Sequence, residues 1–426
     1  MVPPVTLSVL ERTKHISIRH FRAFEAAGRL GSLNQAGDEV HMSQSTMTYA
    51  LRQVEEMFRV RLMERDARGS RLTPEGEVVH ARMVAFFELL NDTVVAALRP
   101  LGKRAEADLG RIVASISWLH ILAVAAFARL GDVDAAAQKL GISQASLLRR
   151  LREVGRCLGC DLLVRNAERL VLNRTGEAFA MGLSLAAKEL DYAVDELASL
   201  DESHVSTIAL GCLGLARTAL IPKTLSCYLS HRPTVRVRLV DDSFDVAFAK
   251  LCNGELDYLI CAKRDDMAAH GIVGDELFSA NYAIACRAGH PLTRVDKVTI
   301  ADLLRHDWLL PIEGTPLRRA CERIFEGVSL PSHSVIETQS AMTSFAILRS
   351  SDRLMISSWH DIVSNGQDEY LSVLPYPLPI AARSIYLYRR QSFRPPPLHS
   401  ELAARLRRRA AKFHEISSPL PELRPL

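Results

Sequence analysis

Roughly sixty residues of this chain occur twice, in register, at an offset of 100 positions, and a duplication of that length sets the plan of the first half before any propensity is consulted. Without a gap, His20, Ala23, Ala26, Arg29, Leu30, Gly31, Ala36, Ser43, Gln44, Leu51, Arg52 and Val54 recur as His120, Ala123, Ala126, Arg129, Leu130, Gly131, Ala136, Ser143, Gln144, Leu151, Arg152 and Val154. Leu62, Arg65, Ala67, Leu72, Gly76 and Glu77 continue the match as Leu162, Arg165, Ala167, Leu172, Gly176 and Glu177.

Each copy reads as three short helices, a hairpin-like element and a long helix. In the first, Ile18, Phe21 and Phe24 to Ala27 have helical spacing, and Gly31 stops the helix where left-handed backbone is needed. A second helix is predicted over about Leu33 to Val40. Ser43 is a good N-cap for a third, with Met47, Leu51 and Val54 as its buried stripe. The opposite face carries Gln44, Ser45, Thr46, Tyr49, Arg52 and Gln53, donors and acceptors suited to base edges in a major groove. Next, Arg65, Arg68 and Arg71 surround Gly69 in a tight turn that reads as a wing able to grip phosphates without reading sequence. Thr73 caps and Pro74 opens a long apolar-rich helix to about Leu98.

The run Arg19-His-Phe-Arg-Ala-Phe, then Gly31-Ser-Leu, Ala36, Ser43-Gln-Ser, Leu51-Arg-Gln-Val-Glu-Glu and Leu62-Met-Glu-Arg to Leu72-Thr-Pro-Glu-Gly resembles the N-terminal domain of LysR-type transcriptional regulators. The resemblance implies a winged helix-turn-helix with Gln44 to Gln53 on the recognition helix, followed by a long helix that dimerises with its partner. The family ordinarily has one such domain; this chain has two. In the second, Ser143, Gln144 and Ser146 hold the recognition-helix positions with Arg149, Arg150 and Arg152, while the wing has lost basic character around Arg165-Asn-Ala-Glu-Arg-Leu. Two readings stay open for it, a second DNA contact or a structural and dimerisation copy.

From Thr207 the pattern changes to alternating strands and helices, the signature of an α/β domain. Strands are expected at Thr207 to Gly211, Val235 to Val240 and Leu256 to Cys261, with helices at Ala216 to Leu229 and Phe244 to Leu251. A second lobe follows, with Tyr282 to Cys286, Trp308 to Ile312, Val335 to Glu337, Leu354 to Ser357 and Ile385 to Tyr388 as strands or returns, and helices near Pro316 to Glu326 and Ser340 to Arg349. The pair of lobes resembles the effector domain of the same family, itself similar to solute-binding proteins of the periplasmic type. Ligands of α/β sheets sit beyond strand C-terminal ends, near helix N-termini that favour anions. That selects the loops Cys212 to Leu215, Asp242 to Ser243, Gly314 to Thr315 and Gln339 to Ser340, with Gly214, Ser243, Thr315 and Ser340 as candidate ligand contacts; each hydroxyl could equally be an N-cap. No single Arg is assigned to an anionic effector.

The expected organisation is an extension over 1–15, a winged helix-turn-helix domain over 16–75, a linker helix over 76–100, a connecting loop over 101–115, a second winged domain over 116–175, a second linker helix over 176–203, a two-lobed effector domain over 204–415 and a tail over 416–426. Such a chain is expected to bind double-stranded DNA and a small molecule, to form a dimer or tetramer, and to have RNA polymerase as a further candidate partner. Two heads per chain would lengthen its footprint or let a dimer behave like a tetramer. A terminal helix from Glu401 to Glu415 carries Arg405, Arg407, Arg408, Arg409 and Lys412 as a solvated face.

Composition removes other classes. With 48% hydrophobic and 24% charged residues over 426, the chain is of ordinary globular type, and no stretch has the roughly 18 uninterrupted apolar residues of a membrane span. Without a leading positive cluster or cleavage pattern near Met1, a cytoplasmic location is expected. Eight cysteines do not form a framework, and a net charge of +4 is too weak to argue nucleic-acid binding alone. Cys157 and Cys160 correspond to the apolar Met57 and Val60 of the first copy, so packing outweighs metal binding. No GxxxxGK[ST], GxSxG or HExxH occurs, and no cofactor or catalytic residue is expected. The rival reading is a DNA-binding regulator fused to a small-molecule-processing enzyme domain, for which Asp241, Asp242 and Glu313 would be the acids.

Overall fold

The computed structural model describes residues 16–412 apart from 67–68, 100–108, 167–168, 201–204, 215, 218–219, 327–334, 339, 358, 365 and 379–381. The first copy contains α1 (Ile18–Leu30), α2 (Leu33–Glu39), α3 (Gln44–Phe58), a hairpin of β1 (Met63–Asp66) and β2 (Gly69–Leu72), and α4 (Pro74–Leu98). After α5 (Leu109–Ser115) the second copy repeats the order with α6 (Trp118–Leu130), α7 (Val133–Leu140), α8 (Gln144–Leu158), the hairpin β3 (Leu163–Asn166) with β4 (Arg169–Leu172), and α9 (Arg174–Leu200). Helix α5 corrects the expected loop over 101–115: Val113 is an apolar residue that the core buries completely.

Local chemistry explains why both copies stop and start at the same places. Ser17 and Ser117 cap α1 and α6, each in a capping box closed by a histidine, and Gly31 and Gly131 end those helices at φ 64°. Ser43 and Ser143 cap the third helices. Glycine recurs at 76 and 176 because the long helix starts against the strand before the wing. A Cβ there would lie 1.9 Å from the Leu62 carbonyl oxygen in one copy and 2.3 Å from that of Leu162 in the other. Within α3 the buried stripe is Met47, Ala50, Val54, Met57 and Phe58; Leu51, expected in it, is only half-buried because the smaller Ala50 faces the core.

The two copies share one hydrophobic core. Phe21 and Phe86 of the first pack their rings against Trp118 of the second, with centroids 5.9 and 6.3 Å apart. Helices α4 and α9 lie along each other. Within the chain α9 covers one face of α4, its small residues Ala180, Gly182, Ala186 and Ala187 admitting close approach.

Two sheets follow. In the first lobe β5 (Ser206–Cys212), α10 (Ile221–His231), β6 (Val235–Val240), α11 (Phe244–Cys252), β7 (Tyr258–Ala262) and β8 (Ile272–Ala280) precede a crossing into the second lobe. That lobe contains β9 (Ala283–Arg287), α12 (Ile300–Leu303), β10 (Trp308–Leu310), α13 (Pro316–Ile324), β11 (Ile336–Glu337), α14 (Ala341–Arg349), β12 (Leu354–Ser357), α15 (Trp359–Ser364) and β13 (Leu371–Leu374). The chain then returns through β14 (Arg383–Arg390) and ends in α16 (Pro397–Ala410). The sheet orders are β6-β5-β7-β14-β8 and β11-β10-β12-β9-β13, parallel through β6-β5-β7 and β11-β10-β12 and antiparallel beyond.

The segment Ile385 to Tyr388, expected in the second lobe, therefore belongs to the first, where β14 pairs with β7 and β8. The terminal helix starts earlier than Glu401, and its residues from 413 lie outside those described, as does the tail. It buries Leu402, Ala403, Leu406 and Ala410 in the first lobe's core, and Arg407 pairs with Asp275 of β8. Among the described residues no single helix is long and apolar enough to cross a membrane.

Candidate nucleic-acid interface and effector cleft

On α3, Gln44, Ser45, Thr46, Tyr49 and Arg52 are exposed, and Gln53 is half-buried. The Ser43 hydroxyl accepts the Thr46 amide at 3.3 Å and lies 2.8 Å from the Thr46 hydroxyl, so Ser43 orders the first turn. Arg52 donates to Glu56 at 2.8 Å and Gln53 donates to the same carboxylate at 2.9 Å. Tyr49, 57% exposed, stands edge-on to His20 with ring centroids 5.7 Å apart. On the wing Arg71 is exposed and faces Glu64 across the hairpin. Arg65 lies on β1 with its backbone alone described, and Arg68 falls outside the described residues.

The corresponding helix of the second copy, α8, differs in kind. Gln144 donates to Asp134 of α7, turning its amide toward its own domain. Ser143 caps by accepting the Ser146 amide at 3.2 Å, and the Ser146 hydroxyl in turn accepts from Arg150 at 2.5 Å. Arg149, Arg152 and Arg156 are exposed, with Glu153 as the nearest acid to the first and last, 3.8 and 4.0 Å away. Thus α8 carries four arginines against one glutamate, where α3 carries one arginine against two.

Between the lobes lies a cleft of about 560 Å³ at the C-terminal ends of β5, β6, β7 and β10, the position the sheet topology favours for a ligand. It brings together Gly214, Ser243, Thr315 and Ser340 from four separate loops. Thr315 and Ser340 also cap α13 and α14, accepting the amides of Arg318 and Thr343 at 3.2 Å each. Ser243 precedes α11 without a side-chain cap bond. Phe244, Tyr282, Met342, Phe345, Met355 and Ile356 supply an apolar wall.

Sequence reasoning missed the three arginines that line this cleft, Arg217, Arg264 and Arg383. The Nε of each is buried without a hydrogen-bond partner. Arg217 pairs with Asp241 and Lys250 with Asp242, so those acids are engaged, while the Arg264 guanidinium lies over the Phe244 ring at 3.9 Å. Position after a strand end could have flagged Arg217 and Arg264; Arg383 arrives from β14, more than a hundred residues away in sequence. Cys261 also borders the cleft, and burial pushes its thiol up to about 12, which keeps it protonated.

The cleft's lobe is bolted to the long helices. Asp257, buried before β7, accepts from Lys188 at 2.8 Å, from the Tyr192 hydroxyl at 2.6 Å and from the Ala209 amide at 2.7 Å. Burial by itself would raise this carboxyl, yet Lys188 and His399 hold it well below the usual carboxylate range. Arg82 of α4 donates to Glu189 of α9 at 2.8 Å, pairs with Glu196, and reaches the Arg394 carbonyl at 2.7 Å.

Two winged helix-turn-helix heads on paired long helices, followed by a two-lobed α/β sensor, define a class of ligand-responsive DNA-binding regulators. The model of the bacterial regulatory helix-turn-helix protein, lysR family, matches residues 18–77 and again 118–177, and that of the LysR substrate binding domain matches residues 201–411. The chain belongs to the LysR family of transcriptional regulators. It is 25% identical over 392 residues to the HTH-type transcriptional regulator GalR of Pseudomonas putida, covering 92% of this chain and 96% of that one, a span too long to leave out either head. The HTH-type transcriptional regulator PcaQ of Agrobacterium fabrum is 26% identical over 61% of this chain and 84% of its own length. A full-length OxyR variant from Pseudomonas aeruginosa shares the fold at 18% identity and TM-score 0.50, covering 72% of this chain and 98% of that one. Relatives named as regulators leave the fused-enzyme alternative without support.

Proposed function

We propose that this regulator reads promoter DNA through the exposed face of α3 and that a small organic anion, bound between the lobes, changes its hold on that DNA. The reading of the cleft rests on one observation, the buried and unpartnered Nε donors of Arg217, Arg264 and Arg383. A buried donor without an acceptor is costly, and a carboxylate satisfies several at once through charge-assisted bonds. The first-turn amides of α14 add partial positive charge from the second lobe. The aromatic and aliphatic wall suits a compact apolar body behind the anionic group.

Because Asp257 and Arg82 tie the first lobe to both long helices, the second lobe is the one free to close. Closure alters DNA binding only by the difference in effector affinity between the two states. The reading carries with it a cytoplasmic site of action, beside the chromosome.

A thermal-shift panel of small aromatic and aliphatic carboxylates against their neutral amides tests this. A matching acid at about one hundred times its Kd adds about 2.7 kcal/mol of stability while its amide does not. Joint substitution Arg264→Gln and Arg383→Gln removes that response. Amides that stabilise as well as acids, or a response kept by the double variant, refute an anionic effector.

A further inference from the structure

We infer that a single chain is already the equivalent of a dimer of heads, and that it reads two adjacent DNA boxes of unlike sequence. This rests on the DNA-binding reading above and extends it. The argument starts from the contacts between α4 and α9. Thr93 of α4 meets Gly182 of α9, where a Cβ would lie 2.2 Å from the threonine hydroxyl. Arg82 of α4 meets Glu189 and Glu196 of α9. Residue numbers that rise along one helix fall along the other, so the two run antiparallel.

The offset of 100 makes the contacts more informative. Gly182 is the repeat counterpart of Arg82, and Ala193 that of Thr93. If the copies were exchanged, the Thr93–Gly182 contact would become one between Ala193 and Arg82. Arg82 does sit there, its two acidic partners lying on either side of Ala193 along α9. A packing in which position i of one copy meets j of the other, and j meets i, is the mark of a two-fold interface. Two symmetric chains ordinarily generate it; here one chain does so with its own repeat. The shared core of Phe21, Phe86, Trp118, Leu183, Ala187 and Leu190 seals that interface.

Such an interface sets two reading heads in a fixed, dyad-like relation, the arrangement that paired half-sites require. The heads are not the same. α3 shows Gln44, Thr46 and Tyr49, with Arg52 held by Glu56, whereas α8 shows Arg149, Arg152 and Arg156, with Gln144 tied back to Asp134. The first face suits base edges, and the second suits phosphates and guanine. An inverted repeat of identical boxes would leave one head mismatched, so the fitting partner is a duplex with two different boxes.

The test selects duplexes from a random-sequence library with the full-length chain, then counts chains on the selected duplex by native mass spectrometry. The expected consensus has two unlike boxes for every chain bound. Gln44→Ala with Tyr49→Ala, both on the surface, relaxes one box at about a ten- to hundredfold loss of affinity. Arg149→Ala with Arg150→Ala leaves that box intact and lowers the slope of log K against log salt by about one to two. One box per chain, two identical boxes, or a second-head variant that binds like the parent overturns the inference while leaving DNA reading in place. Failure to enrich any motif overturns both.

Discussion

The two heads are built on the same backbone and finished with different surfaces. Many of the devices that end or start a helix are kept: the Ser17 and Ser117 capping boxes, the left-handed Gly31 and Gly131, the Ser43 and Ser143 caps, and glycine at 76 and 176 where a Cβ would strike a carbonyl. What changes is what the helices show to solvent. The exposed face of α3 is polar with its arginine paired to Glu56, and that of α8 is cationic. A position whose backbone conformation or clearance admits few residues stays fixed in a duplicate, whereas an exposed one is free to acquire a new partner.

The strongest break in the symmetry is Arg82, whose counterpart is Gly182. Removing it by Arg82→Ala leaves Glu189 buried without its counter-charge, and burial already raises that carboxyl against the pull of Arg82. A loss of about 3–5 kcal/mol in urea denaturation is expected, because a broken buried pair strands a charge. A loss below 1 kcal/mol would show that the two heads hold together without this bridge.

A smaller effect compares the caps of the long helices. In the first copy the Thr73 hydroxyl accepts the Gly76 amide at 2.9 Å and donates to the Arg61 carbonyl at 2.7 Å. In the second, Asn173 does both tasks with two atoms, accepting from Gly176 at 2.8 Å and donating to Asp161 at 2.7 Å. Thr73→Ala and Asn173→Ala are each expected to cost about 1 kcal/mol in the same assay. Unequal losses would show that one head depends more on its cap than the other.

The smallest effect is one of pH. Both capping-box histidines accept a backbone amide at Nδ1, from Ser17 at 3.4 Å and from Ser117 at 3.1 Å. Burial lowers the His20 pKa below its ordinary 6.5, so the unfolded chain takes up the proton first. Stability contributed by neutral His20 is present above pH 6.5 and is lost as pH falls from there through the folded value. His120 instead has Glu153 at 3.2 Å, and its hydrogen bond holds that carboxyl below 4.5, a contribution present above pH 4.5 and lost as pH falls from there through the lowered value. His20→Gln should therefore flatten the stability profile between pH 7 and 5. An unchanged profile would move the pH dependence to another group.

Much of this was legible from residue order because it is local. Caps, glycine stops and the stripe of α3 depend on neighbours within a few positions, and the repeat doubled each signal. Gly214, Ser243, Thr315 and Ser340 were assigned to one cleft by the same logic, since strand ends and helix starts mark it. Arg383 and the return of β14 were not, because a strand's apolar pattern states that it is buried but not which sheet receives it. The packing of α9 along α4 was not read from the sequence for a related reason: an apolar helix face asks for cover without naming the helix that provides it.

Residue order by itself determined two winged heads, the exposed faces of α3 and α8 and an α/β effector domain, since each follows from spacing along a short stretch of chain. Tertiary structure decided that α4 and α9 cover each other within one chain and that three arginines converge on one cleft. Those outcomes turn on shape and charge matched across roughly ninety or more residues: Thr93 against the missing side chain of Gly182, Arg82 between two glutamates, and β14 inserted between β7 and β8. Close packing and buried charge select among partners that local periodicity leaves equivalent.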